Sequence, residues 1–249
     1  MDPPSTTPVP GSGAATEPPM AKQHHRDIQG GAARAAVFGV SDGLVSNVSL
    51  ILGVAGASPA AGVVRLAGLA GLVSGAVSMA AGEYVSMRAQ AELLERELDM
   101  ERIELRRNPQ VETAELAEIY TSRGIGAEQA KHLAEQVMQD PERALEVHAR
   151  EELGIDPGSL GSPVRAAVSS FLAFAVGALV PLIPWFFSHG GAAVIGSVVL
   201  GALGAITVGT ALARFTGRSA VRSSARQLLI ATVAAAVTWV IGSVVGVSL

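Results

Sequence analysis

Two groups of residues in this chain could do chemistry, and both are built for holding cations. The first is a set of carboxylates in one polar stretch. Glu97, Glu101 and Glu104 stand at i, i+4 and i+7, so on a helix they share a face. Glu112 and Glu115 form a second i, i+3 pair just past Pro109. His148 precedes Glu151 and Glu152 by three and four residues, which sets its imidazole over both carboxylates on a helix. Glutamate and histidine without cysteine suit Fe(II), Mn(II) or Zn(II). For any single glutamate the bland reading is an ordinary solvated face, laced with pairs to Arg96, Arg102 and Arg106.

The second group sits among apolar residues. Asp42 is flanked by apolar and small residues for several turns, and Glu83 closes another such run. A charge at membrane depth is costly and usually faces a pathway or a partner. For Asp42 the bland reading is a carboxylate bonded to Ser or Asn on a neighbouring helix; for Glu83 it is a side chain reaching headgroup water. Met79 lies four residues before Glu83, on the same face. Its thioether is a soft, weak ligand better matched to a transition metal than to magnesium or calcium. A lone Met in such a helix is more often packing.

Signs of catalysis are missing. The chain has no His-Glu-x-x-His, no P-loop and no Gly-rich dinucleotide fingerprint. It also lacks the Glu-x-x-His pairs of ferritin-like bundles. With no cysteine at all, disulfides and thiolate metal sites are excluded. No resident cofactor is expected, only bound or transported ions.

The elements that must position these residues follow from an uneven charge distribution. Hydrophobic residues make up 49% of the 249 residues and charged ones 16%. Between Arg88 and Pro163 lie 17 of the 22 acidic residues but only nine of the 18 basic ones. That is an all-α membrane protein with one polar insert. The net charge of −4 belongs mostly to the insert, which favours cations as partners and argues against nucleic acid. Residues 1–31 are rich in Pro, Ser, Thr and Gly and read as a disordered tail without a signal-peptide core. Its His24-His25 pair reads as solvated.

Residues 32–87 hold spans one and two, starting near Arg34 and Gly62, and residues 163–249 hold spans three to five. Asn47-Val48-Ser49 matches a glycosylation acceptor but is unusable inside a span. Gly71-x-x-x-Gly75 and Gly242-x-x-x-Gly246 have the spacing that lets helix backbones approach. The insert, 88–162, continues the second span as a rod up to Asn108-Pro109. Helices follow near 112–123 and 127–139, and a last one starts at Pro141 under an Asp140 cap and stops at Gly154. Pro181 and Pro184 predict a kink or an end in span three.

Lys22, Arg26 and Arg34 precede span one, and Arg214, Arg218, Arg222 and Arg226 lie between spans four and five. With five spans, every basic segment falls on one side of the bilayer. The positive-inside rule then makes the amino terminus and the insert cytoplasmic and the carboxyl terminus external or lumenal.

The stretches AAVFGVSDGLVSNVSLILGVAGA, GLVSGAVSMAAGEYVS, the Glu-rich rod, REELG and PLIPW resemble the vacuolar iron transporter family. The resemblance covers most of the chain after the tail. It implies five membrane helices, a homodimer, and a metal-binding insert between the second and third helices. It also implies export of Fe2+, often Mn2+, from the cytosol in exchange for protons. Asp42 and Met79 match the family's intramembrane Asp and Met. Glu101, Glu104, Glu112, Glu115 and Glu152 match its insert glutamates. Three positions depart: His148 replaces a Met, Gly71 replaces a carboxylate, and Glu83 stands where members carry a small residue. The Ala- and Gly-rich sequence has a bacterial character, which places the protein in a plasma membrane; in a eukaryote the vacuolar membrane is implied. The competing reading is a membrane-tethered metal buffer or sensor that does not transport. Asp42 separates the two, because an anchor needs no carboxylate within its span.

Overall fold

The structure is a computed structural model, and it describes residues 31–58, 60–154 and 161–247. The tail before Gly31, with its His24-His25 pair, lies outside the described residues, as does Leu249. Every regular element is a helix, and among the described residues no strand occurs. The chain runs α1 (Gly31–Ala57), α2 (Ala61–Arg107), α3 (Pro109–Ser122), α4 (Ala127–Val137) and α5 (Pro141–Glu151). Then come α6 (Pro163–Leu179), a 3-10 turn (Val180–Leu182), α7 (Pro184–Phe187), α8 (Gly190–Thr216) and α9 (Ala220–Val247). Five segments are long and apolar enough to cross a bilayer: α1, the first part of α2, Pro163–Leu182, α8 and α9. This is a multi-pass membrane protein.

Helix α2 is the rod that the sequence predicts. Its 47 residues extend about 70 Å, more than twice a hydrocarbon core of ~30 Å. It stops at Arg107 because Asn108 leaves the helical region and Pro109 starts α3. The other expected punctuation holds too. Asp140 accepts hydrogen bonds from the Glu142 and Arg143 amides, and Gly124 and Gly154 have positive φ. Pro181 and Pro184, which lack amide hydrogens, divide the third span into α6, the turn and α7. The break is pinned by Trp185, whose Nε1 donates to Ser197 Oγ, which donates to the Pro181 carbonyl.

Helix α1 is central and packs against α2, α6, α8 and α9. In lipid, close van der Waals fit rather than the hydrophobic effect holds helices together. Small residues provide that fit here. A Cβ on Gly177 of α6 would overlap the Val40 carbonyl, and one on Gly43 of α1 would overlap the Phe174 carbonyl. Gly242 likewise lies on the Gly53 carbonyl, so the Gly242/Gly246 motif joins α9 to α1 within one chain. Gly71 and Gly75 also face inward, on Leu50, Asn47 and Phe174. Hydrogen bonds add to the fit: Thr238 donates to the Ser49 carbonyl at 2.7 Å and Gln227 to Ser41 Oγ at 2.6 Å.

This packing makes Gly177 intolerant of a side chain. Gly177→Val should cost roughly 1–3 kcal/mol of overpacking and lower the thermal midpoint of the purified protein in detergent. Gly62→Ala, where an added Cβ meets nothing within 4 Å, should leave it unchanged or slightly higher. Equal midpoints for the two variants would contradict the α1–α6 contact.

Candidate metal centre and intramembrane cavity

The polar helices converge on one small core. Leu116 and Tyr120 of α3, Ala130, Ala134 and Val137 of α4, and Ala144 of α5 are buried together, with Leu105 of α2 packed against them. This core ties α3 and α5 to the α2 rod. Three polar side chains are thereby drawn inside: Glu101 from α2, Glu112 from α3 and His148 from α5. Their exposures are 4%, 5% and 0%. Glu112 also lies in the first turn of α3, where the helix dipole favours a negative charge.

Each of the three offers a ligand atom, and these atoms lie within 4.8 Å of one another. Ligands bound at about 2.1 Å to one ion are at most ~4.2 Å apart, so a small inward movement closes the set on a cation. Glu112, Glu115 and Glu152 make a second group within the same distance, with Glu112 shared and the other two exposed. Glu101 Oε1 is buried without a hydrogen-bond partner. An unsatisfied buried acceptor costs about 1–3 kcal/mol, more when charged, and a bound cation removes that cost. His148 fits the same role. Its Nδ1 lies 2.9 Å from the Ala144 carbonyl and its Nε2 3.3 Å from the Glu112 carbonyl. With Nδ1–H donating to Ala144, the ring is oriented, and Nε2 presents a lone pair to a cation once it turns from the Glu112 carbonyl that it faces.

The electrostatics follow from gathering these carboxylates in a buried core. Burial above all, then repulsion from Glu152, Glu112 and Glu104, pushes the Glu101 carboxyl up from 4.5 to about 7, against a smaller opposing effect of His148. Glu112 is raised as well, first by burial and then by Glu115, Glu152 and Glu104, with His148 again opposing. Glu104 belongs to neither group and contributes through its charge. Glu97, on the same face in sequence, is outside both groups. Glu151 is ion-paired with Arg123, so the expected stacking of His148 over Glu151 and Glu152 gives way to contacts with other helices. The partners of His148 come from α2 and α3, because α5 turns its His148 face into the core.

Within the span region, Asp42, Ser46 and Asn47 of α1, Gly71 and Met79 of α2, and Phe174 of α6 line one cavity of about 280 Å³. The sequence alone could not place Met79 beside Asp42; the antiparallel packing of α1 and α2 does so. Ser46 Oγ donates to the Asp42 main-chain carbonyl at 2.6 Å, which leaves the carboxylate of Asp42 uncommitted. Asn47 is 2% exposed, donates from Nδ2 to the Ala178 carbonyl at 2.6 Å, and keeps Oδ1 without a partner. Sequence reasoning noticed Asn47 only as part of an unusable glycosylation motif. A polar residue five positions after Asp42 in an apolar helix was the available signal. Glu83 does not line the cavity; it is ion-paired to Arg34 at 3.3 Å.

The model of the VIT family matches residues 33–243. The chain belongs to the VIT family. It is 30% identical to vacuolar iron transporter 1 of Arabidopsis thaliana, over 89% of this chain and 90% of that one. It is 33% identical to vacuolar iron transporter 2 of Oryza sativa subsp. japonica, covering 82% and 83%. It is 38% identical to a vacuolar iron transporter of Acanthamoeba castellanii, covering 67% and 60%. These VIT relatives are transporters, not enzymes, in keeping with the absence of a catalytic motif. The match includes both the cavity and the polar helices, so neither is an addition foreign to the family.

The Glu101 shift fixes a sign. Metal binding needs the carboxylate, so a proton must leave first. Mn2+ affinity of the full chain should fall by about tenfold per pH unit as pH drops below 7, with proton release on binding. Without metal, the protonated form favours the fold. That contribution is full below pH 4.5 and lost as pH rises through about 7. Calorimetric titration with Mn2+ in buffers of different ionisation enthalpy measures the released protons. Glu101→Gln should abolish the part that titrates near 7. Affinity constant from pH 5.5 to 8 would contradict the assignment.

Proposed function

We propose that this chain carries divalent iron, and also manganese, out of the cytosol in exchange for protons. The observation that carries the reading is the meeting of Asp42 and Met79 in one intramembrane cavity. A carboxylate and a thioether together favour a transition-metal ion over magnesium or calcium. The names of the relatives point to iron. Manganese, the direction and the proton rest on the donor set and on the charge logic below.

In this reading the insert, residues 88–162, faces the cytoplasm and gathers ions at Glu101, Glu112 and His148, with Glu104, Glu115 and Glu152 adding negative charge around them. Zn2+ meets the same donors and is a competitor. A metal ion that leaves this site enters the cavity and replaces the proton that balances Asp42. A proton arriving from the far side releases the ion again. One carboxylate that accepts either cation is the minimum an exchanger needs. The membrane is the plasma membrane of a bacterium, or the vacuolar membrane in a eukaryote.

The working unit is a homodimer. Asp42, Ser46, Ser74 and Ser78 are all exposed on a single chain at membrane depth. Lipid cannot solvate a carboxylate there, and a second copy laid on the α1–α2 face covers it. The buffer or sensor reading is favoured by one fact, that the insert group uses no residue of the apolar spans. It leaves the Asp42 cavity without a purpose.

Metal uptake into proteoliposomes with and without a pH gradient tests the proposal. Asp42→Ala should reduce uptake to background while calorimetry still detects Mn2+ at the insert. Replacing Glu101, Glu104, Glu112 and Glu115 together by Ala should raise the half-saturating concentration roughly tenfold or more and leave uptake at high metal. A folded Asp42→Ala protein that transports at the wild-type rate would leave the buffer reading standing.

A further inference from the structure

Asn47 does more than its position in an apolar helix requires. A side chain that served only to tie α1 to α6 would need its Nδ2, which donates to the Ala178 carbonyl at 2.6 Å. That bond also settles the orientation of the amide, since only the nitrogen can donate to a carbonyl. The oxygen is therefore turned away from α6, and it belongs to a residue in the wall of the cavity that Asp42 and Met79 line. It is buried and has no hydrogen-bond partner. The position opposite on α2 is Gly71, where an added Cβ would stand 3.0 Å from Asn47 Oδ1. With no side chain at Gly71, only the α2 backbone packs over the oxygen on that side. A fixed, buried, unpartnered acceptor in the wall of a cavity that also holds a carboxylate is a ligand atom in waiting.

We infer that the amide oxygen of Asn47 is a ligand for the transported divalent cation, between the Asp42 carboxylate and the Met79 thioether. The inference rests on the transport reading above and adds a residue to it. The chemistry of the third donor matters. An amide oxygen is hard and neutral, so it favours Mn2+ and Fe2+ over softer ions such as Cd2+. It also adds no negative charge, so the ion in the cavity keeps a net positive charge and can leave. A second carboxylate there would hold the ion more tightly and slow its release. The oxygen sets both the metal ranking and the ease of passage, and the Ala178 bond only positions it.

Uptake of Mn2+ and of Cd2+ by the full chain in proteoliposomes distinguishes a ligand from a tie. Asn47→Leu removes the oxygen. It should raise the half-saturating Mn2+ concentration about tenfold and that of Cd2+ by less than about threefold, because the thioether carries more of the softer ion's binding. Asn47→Asp keeps an oxygen but cannot donate to Ala178. It should take up Mn2+ with a half-saturating concentration at or below that of the wild type and with a lower maximal rate. That variant alone decides the matter if Asn47→Leu fails to insert, since a mere tie predicts loss of both ions in Asn47→Asp. Two results would overturn the inference: wild-type Mn2+ kinetics in Asn47→Leu, which means that only water meets the oxygen, or an equal loss of both ions in both variants. Asp42→Ala is the control. If it is inactive while Asn47→Leu behaves as wild type, only the role of Asn47 falls. If Asp42→Ala transports normally, the cavity is not the route and both readings fall.

Discussion

Negative charge that lacks a counter-charge governs this structure. Glu101 has a buried oxygen with no partner, and Glu112 is drawn into the same core. Asp42 stands at membrane depth without a basic residue beside it in its cavity. Each is expensive as the protein stands. Elsewhere the chain avoids such cost: Glu83 is paired with Arg34 and Glu151 with Arg123. Glu101 and Glu112 gather with His148, and Asp42 shares its cavity with Met79 and Asn47. A cation is the one kind of partner that relieves both places at once, and a proton is its substitute at low pH.

One helix connects the two places. Met79 and Glu101 belong to the same uninterrupted α2, about 33 Å apart along its axis. The rod therefore fixes the separation between the buried insert group and the cavity, and it does so without a hinge. Its apolar half is held by α1 and α6, whose Asn47, Leu50 and Phe174 side chains sit on its glycines, and its polar half by the small core around Leu116 and Tyr120. In the proposed route the ion crosses the interval between the two groups, with the exposed carboxylates of Glu104, Glu115 and Glu152 at its start.

Much of this was legible from residues alone. Five apolar runs, the Asn108-Pro109 break, the Asp140 cap and the two prolines of span three gave the elements, because each rests on a local rule of backbone chemistry. Asp42 stood out because charge in an apolar run is rare. What the sequence could not supply was everything that depends on which helices meet. His148 reads locally as the neighbour of Glu151 and Glu152, and in space it joins Glu101 and Glu112. Gly71 and Gly75 read as a motif for close backbone approach, and in space they make room for the side chains of Asn47, Leu50 and Phe174. Asn47 itself passed as an inert motif because its meaning lies in the direction of one oxygen. The family resemblance supplied the insert glutamates as a set, and the structure divides them into two buried members, Glu101 and Glu112, and three exposed ones, Glu104, Glu115 and Glu152.

The most direct test of the account is to locate the ion. Anomalous scattering from crystals of the full chain grown with Mn2+ should show two positions in each protomer. One should lie among Glu101, Glu112 and His148, and the other in the cavity between Asp42, Asn47 and Met79. Manganese confined to the insert, with the cavity holding none at saturating metal, would contradict the account.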